Sequence, residues 1–149
     1  MDVRKHLMQS LEAILDRMAF MYFEEPEDGE PVPEEYDLIT GITFSGAIEG
    51  TLNVMFNRAV AEEMARNLVG IRDDDELFEQ TLKDAVCEFT NMIMGHTMTN
   101  IDPNRSFQME VPFMVQEPST AKAGCETIEV SGLLDDSPIK LILHFKLDS

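Results

Sequence analysis

Glu88 and Asn91 are the residues of this chain best placed to act together. They lie in Asp84-Ala85-Val86-Cys87-Glu88-Phe89-Thr90-Asn91-Met92-Ile93-Met94-Gly95, inside a long helical pattern. At a helical step of ~100° per residue, Asp84, Glu88, Asn91 and Gly95 fall on one narrow stripe. Phe78, Leu82, Ala85, Phe89 and Ile93 form a second stripe, turned by roughly 140° from the first. One face therefore packs on a core, and the other presents an acid and an amide one turn apart. Glu88 alone reads as a solvated helix face. An exposed Asn in mid-helix is less expected, because Asn is a mediocre helix former. Gly costs about 1 kcal/mol against Ala inside a helix, so Gly95 is expected to leave room for another surface.

Other catalytic systems are not carried by the sequence. It has no Walker loop, no G-x-S-x-G elbow and no dinucleotide fingerprint. A cysteine phosphatase needs an arginine several residues after its nucleophile, and Cys87 and Cys125 have Ile93 and Ser131 at that offset. His6, His96 and His144 fall on three different elements without ligand spacing, so no metal site is expected. Asn104-Arg105-Ser106 matches a glycosylation acceptor, which has no consequence in a chain read as cytoplasmic.

The elements that position the stripe follow from periodicity and punctuation. Leu7, Met8, Leu11, Ile14, Leu15, Met18, Met21 and Tyr22 predict a first helix over residues 4 to 23. Residues 24 to 35, with Pro26, Gly29, Pro31 and Pro33, predict a long acidic loop. Strands are predicted over 38–45 and 51–56, joined as a hairpin between Gly46 and Gly50. Asn57 is the expected N-cap of a second helix and Gly70 its C-terminal stop. Asp73-Asp74-Asp75-Glu76 is expected to open the third helix, where the macrodipole favours negative charge, and Pro103 lies beyond its end. Strands follow over 106–111, interrupted by Pro112 and resuming over 113–115, then over 125–134. A turn is expected at Asp135 to Pro138, then a last strand to Leu147 with an edge open for dimer pairing. Helix, two strands, two helices and three strands predict a single α+β domain over 1–149. Three helices should pack on one face of a mostly antiparallel sheet of about five to six strands.

The chain has 149 residues and a formal net charge of −18, with 11 Lys and Arg against 29 Asp and Glu. That argues against nucleic acid as a partner, because phosphate binding needs basic clusters. It also disfavours anionic membranes. No apolar run is long enough to span a bilayer and the start is not a signal peptide, so the chain reads as cytoplasmic with reduced thiols.

Around Asp84, Glu88 and Asn91 the chain resembles the CheC/CheX/FliY family of chemotaxis phosphatases. The family signature is an acid or serine, three residues, Glu, two residues, Asn, and a later proline. Here it reads D-A-V-C-E-F-T-N, followed by Pro112. G-I-T-F-S-G-A-I-E-G-T-L-N-V-M-F (Gly41 to Phe56) resembles the family's first hairpin, and A-R-N-L-V-G (Ala65 to Gly70) the end of its second helix. The gap from Asn91 to Pro112 is about two residues shorter than the family pattern. The first helix, S-L-E-A-I-L-D-R-M-A-F, lacks the second E-x-x-N of CheC-type members, so the resemblance is to CheX.

The resemblance implies a phosphatase acting on the aspartyl phosphate of a CheY-like response-regulator receiver domain. Asn91 would orient the attacking water, and Glu88 would pair with the receiver's active-site lysine. Asp84 and Gly95 would contribute to docking. Mg²⁺ is expected in the partner receiver, and no cofactor is expected in this chain. A homodimer is implied as well. A non-catalytic module binding a receiver or flagellar-switch partner through the same helix is the alternative, and a dimeric structural adaptor is a third reading.

Overall fold

Alternating side chains build the sheet. Leu38, Thr40, Ile42 and Phe44 are buried on one strand, as are Leu52, Val54 and Phe56 on the next and Ile139, Leu141, Leu143 and Phe145 on the last. A period of two puts each set on one face of the sheet. The computed structural model describes residues 2–19, 21–26, 34–72 and 76–147, the side chains at 18 and 19 excepted. Its elements are α1 (Val3–Ile14), a π-helical turn (Leu15–Ala19), β1 (Phe23–Glu24), β2 (Leu38–Ser45), β3 (Ile48–Phe56), α2 (Arg58–Val69), α3 (Glu79–Ile101), β4 (Gln108–Met109), β5 (Phe113–Val115), β6 (Glu126–Leu134) and β7 (Ser137–Leu147).

The strand order is β1-β6-β7-β3-β2, with β4 and β5 both paired to the outer side of β2. Every pairing is antiparallel. This is the expected α+β architecture. The helices cover one face, and α3 lies among them against α1, α2, β2 and β3. Phe89 of α3 meets Phe56 of β3 edge to face, with ring centroids 6.0 Å apart. Burying such aromatics supplies a large part of the apolar drive to fold.

Caps set the ends of α2 as expected. Asn57 Oδ1 accepts from the Ala59 amide at 2.9 Å, and Gly70 closes the helix in the left-handed region with φ +74°. α1 has Asp2 as its N-cap, accepting from the Lys5 amide.

Several boundaries differ from the sequence expectations. The first helix does not continue to 23. It ends its α-helical part at Ile14, passes through the π-helical turn, and the chain then forms the two-residue strand β1 against Leu133 and Leu134 of β6. A period count extends through apolar Met21 and Tyr22, whereas Tyr22 is 72% exposed. Glu24, expected in the loop, belongs to β1, and residues 27–33 of that loop lie outside the described residues. Asp73 to Asp75 also lie outside them, and α3 starts at Glu79, three residues after Glu76. Phe78 occupies the N-cap of α3 and is 64% exposed, so it does not belong to the core stripe.

The first hairpin closes earlier than expected, at Ile48. The strand expected over 106–111 shrinks to Gln108–Met109. The turn at 135–136 has φ of +46° and +71° at Asp135 and Asp136, the backbone of a two-residue hairpin. Ser137 and Pro138 already pair in β7, opposite Leu134 and Leu133. β7 is not an edge, since β3 and β6 flank it on both sides.

Candidate active site

α3 is held in rotation by polar groups on its buried side. Thr90 Oγ1 lies 2.6 Å from Thr40 Oγ1 of β2, and the Thr90 hydroxyl donates to the Val86 carbonyl at 2.9 Å. Both threonines are fully buried. One turn and a half further along, His96 Nδ1 lies 2.8 Å from Ser10 Oγ of α1 and accepts from the Asn100 amide at 3.0 Å. Leu82, Ala85, Phe89 and Ile93 are buried on the same side. With that side fixed, the opposite stripe is fixed too.

On that stripe Asp84 and Glu88 are exposed, and Asn91 and Gly95 are half-buried. The structure therefore brings all four expected residues onto one surface. Asp84 Oδ1 accepts from Gln80 Nε2 at 2.8 Å, one turn earlier. Among the described residues, neither Glu88 nor Asn91 has a hydrogen-bond or ion-pair partner for its side chain. An amide and a carboxylate left uncommitted on a rigid helix remain available to another molecule.

Gly95 has an internal neighbour. A Cβ there would meet Met109 Cε of β4 at 3.3 Å, so its lack of a side chain serves the approach of the edge strand. Cys87 is half-buried, with Sγ 3.8 Å from Met114 Sδ of β5. Burial pushes its thiol up from the ordinary value, and the Asp84 carboxylate adds to the effect. A thiol so raised stays protonated and is a poor nucleophile. A cavity of about 440 Å³ lies elsewhere, bordered by Thr51, Ser119, Lys122, His144 and Lys146, and neither Glu88 nor Asn91 lines it. Among the described residues no group of three or more His, Cys, Asp or Glu side chains could hold a metal ion, and no helix is long and apolar enough to cross a membrane.

Sequence reasoning missed Thr90, Met109 and Met114. Thr90 sits inside the motif itself, but a threonine within an apolar helix face gives no sign of which strand residue it will meet. Met109 and Met114 reach α3 through tertiary pairing that periodicity does not record.

Geometry defines a class: an α+β domain offering an acid and an amide on the outward stripe of its central helix, next to an edge strand. The chain belongs to the CheX family, since the family described as chemotaxis phosphatase CheX matches residues 38–131. A search of curated proteins finds no significant sequence match. Solved structures share the fold. A chemotaxis protein CheX from Desulfovibrio desulfuricans is 21% identical over 99% of this chain and 100% of its own, with a TM-score of 0.76. CheX in a CheX–CheY–BeF3–Mg²⁺ complex from Borrelia burgdorferi is 17% identical over 97% of this chain and 98% of its own, with a TM-score of 0.74. The FliM middle domain from H. pylori is more distant, at 12% identity over 97% of this chain and 87% of its own, with a TM-score of 0.55.

Proposed function

We propose that this protein dephosphorylates the aspartyl phosphate of a CheY-like receiver domain, with Asn91 orienting the attacking water and Glu88 holding the receiver in place. The observation that carries this is the uncommitted, half-buried Asn91 amide, one turn from the exposed, unpaired Glu88, on the side of α3 turned away from its packed face. The CheX relative from B. burgdorferi is seen with CheY. The receiver brings its own Mg²⁺ and the phosphorylated aspartate. Positioning one water then suffices, as in GTPases whose glutamine orients the nucleophile. Glu88 would pair with the receiver's active-site lysine, and a desolvated charge pair at an interface couples by ~1.5–7 kcal/mol. Asp84 and Gly95 border the contact, Asp84 by its carboxylate and Gly95 at the far end of the stripe, where Met109 packs against it.

The chain's net charge of −18 gives no long-range attraction to an acidic receiver site, so association rests on local contacts and the complex is transient. Action on a receiver places the protein in the cytoplasm. A homodimer, implied by the family resemblance, would draw on the sheet edge of β6 beyond Leu133 and Leu134, where among the described residues β1 pairs with those two positions only.

The test is decay of phosphate from candidate receivers with Mg²⁺, comparing wild type, Asn91→Ala and Glu88→Ala. Asn91→Ala is expected to lower kcat by about 10²-fold, the scale of losing one transition-state contact, with binding retained. Glu88→Ala is expected to raise KM at least about tenfold. Absence of acceleration by wild type across the organism's phosphorylated receivers, with binding intact, would leave a non-catalytic receiver-binding module. The fold shared with a flagellar-switch domain makes that the second reading.

A further inference from the structure

Cys87, Asn91 and Gly95 are successive members of one i, i+4 row on α3. At one end Cys87 meets Met114, and at the other Gly95 meets Met109. Met109 and Met114 belong to the same edge, so the chain between them runs past Asn91.

The register shows what that stretch does. Phe44 pairs with Met109 and Gly41 with Phe113. Thr43 and Ile42 of β2 therefore stand opposite Glu110, Val111 and Pro112. Two residues against three is a β-bulge. Glu110 stays anchored, its amide donating to the Thr43 carbonyl at 3.0 Å and its carboxylate accepting from the Thr43 hydroxyl at 2.5 Å. Pro112 has no N–H to add to the ladder. The surplus residue is thrown outward at Val111, which is 83% exposed, more than the other exposed large apolar side chains among the described residues.

Building on the phosphatase reading, we infer that Val111 is a specificity-determining contact: the bulge holds it beside Asn91 to meet an apolar patch at the rim of the receiver's phosphorylation site. A surface that takes in the Asn91 amide must pass over the bulge, because the bulge borders the same helical row. Val111 contributes little to the folded chain while it faces water. A β-branched side chain has little rotamer freedom to lose on being covered, so its burial adds to affinity at small entropic cost. Two acidic surfaces cannot hold each other by long-range charge, and an apolar contact is indifferent to that sign. Receivers differing at the matching rim position would then be accepted or refused by fit to Val111 and not by the shared chemistry at Asn91.

The experiment measures steady-state dephosphorylation of a phosphorylated CheY-like receiver by wild type, Val111→Ser and Val111→Asp, with thermal unfolding of each. Because the side chain is exposed, all three should unfold alike. Val111→Ser is expected to raise KM about tenfold with kcat within about twofold, the pattern of lost uniform binding. Val111→Asp should raise KM further. Unchanged KM in both variants overturns the inference, as does a fall in kcat at constant KM. Failure of wild type to accelerate any receiver would instead overturn the phosphatase reading, and is seen before any variant is made.

Discussion

Asn91 stands where packing has no need of an amide and helix propensity disfavours one. Its neighbours on the motif divide between outside and inside. Glu88 is exposed, while Phe89 and Thr90 are fully buried. Cys87 lies between these sides and invites a nucleophilic mechanism that its surroundings oppose, since burial and Asp84 both hold the thiol above its ordinary value. Replacing it separates water positioning from thiol chemistry. Cys87→Ala is expected to keep kcat within about twofold and to cost stability on the order of 1 kcal/mol for the lost contact with Met114. A loss of kcat approaching that of Asn91→Ala would show the sulfur acting in the reaction. The acid–amide stripe is legible in the sequence because helical period is a local property, readable from spacing alone. The silence of Glu88 and Asn91 toward the rest of the chain is not legible, because it depends on what every other segment does.

α3 carries the stripe, and its orientation depends on the other elements it packs against. Apolar contacts fix which side faces the sheet, but they tolerate some roll about the helix axis. The Thr90–Thr40 contact at 2.6 Å removes that freedom by joining the middle of α3 to β2. Its strength can be read from a double-mutant cycle. Thr40→Val and Thr90→Val should each cost about 1–2 kcal/mol, since each leaves a buried hydroxyl short of a partner. The double variant should cost clearly less than the sum, because two apolar groups of the same shape satisfy each other. Additive costs in chemical denaturation would show that the hydroxyls do not act as a pair. The strands and caps of this region are legible where short-range chemistry sets them, as at Asn57 and Gly70. The bulge at Val111 is not, although Pro112 marks an interruption, because a bulge is a relation between two strands. Nor is the central place of β7, for chain order does not give sheet order.

At the scale of the whole molecule, the α+β class follows from element order, and acidity from a count of side chains. Neither shows that Tyr36, Cys87 and Lys140, the displaced groups that titrate in the alkaline range below Arg58, share one sign of displacement. Burial raises Tyr36, whose hydroxyl is buried without a hydrogen-bond partner among the described residues, with Lys140 opposing the rise and the Glu34 carboxylate adding to it. Burial also raises Cys87. Burial alone would lower Lys140, but the carboxylates of Glu34 and Glu129 hold it above its ordinary value. A group whose folded pKa is raised contributes stability that is fully present below its unfolded value and lost as pH rises through the folded one. The ordinary values are 9.0 for Cys87, 10.0 for Tyr36 and 10.5 for Lys140. These three therefore impose no pH dependence near neutrality and a loss that grows as pH rises through 9.0, 10.0 and 10.5 in turn. Tyr36→Phe removes one of the three and a hydroxyl that no described residue satisfies. It should leave stability at pH 7 equal or raise it by up to about 1 kcal/mol, and it should shrink the alkaline loss. Urea unfolding under reducing conditions from pH 7 to 11 reads both effects. Equal stability of wild type across that range would contradict the raised values, and an unchanged alkaline slope in Tyr36→Phe would remove Tyr36 from among the causes.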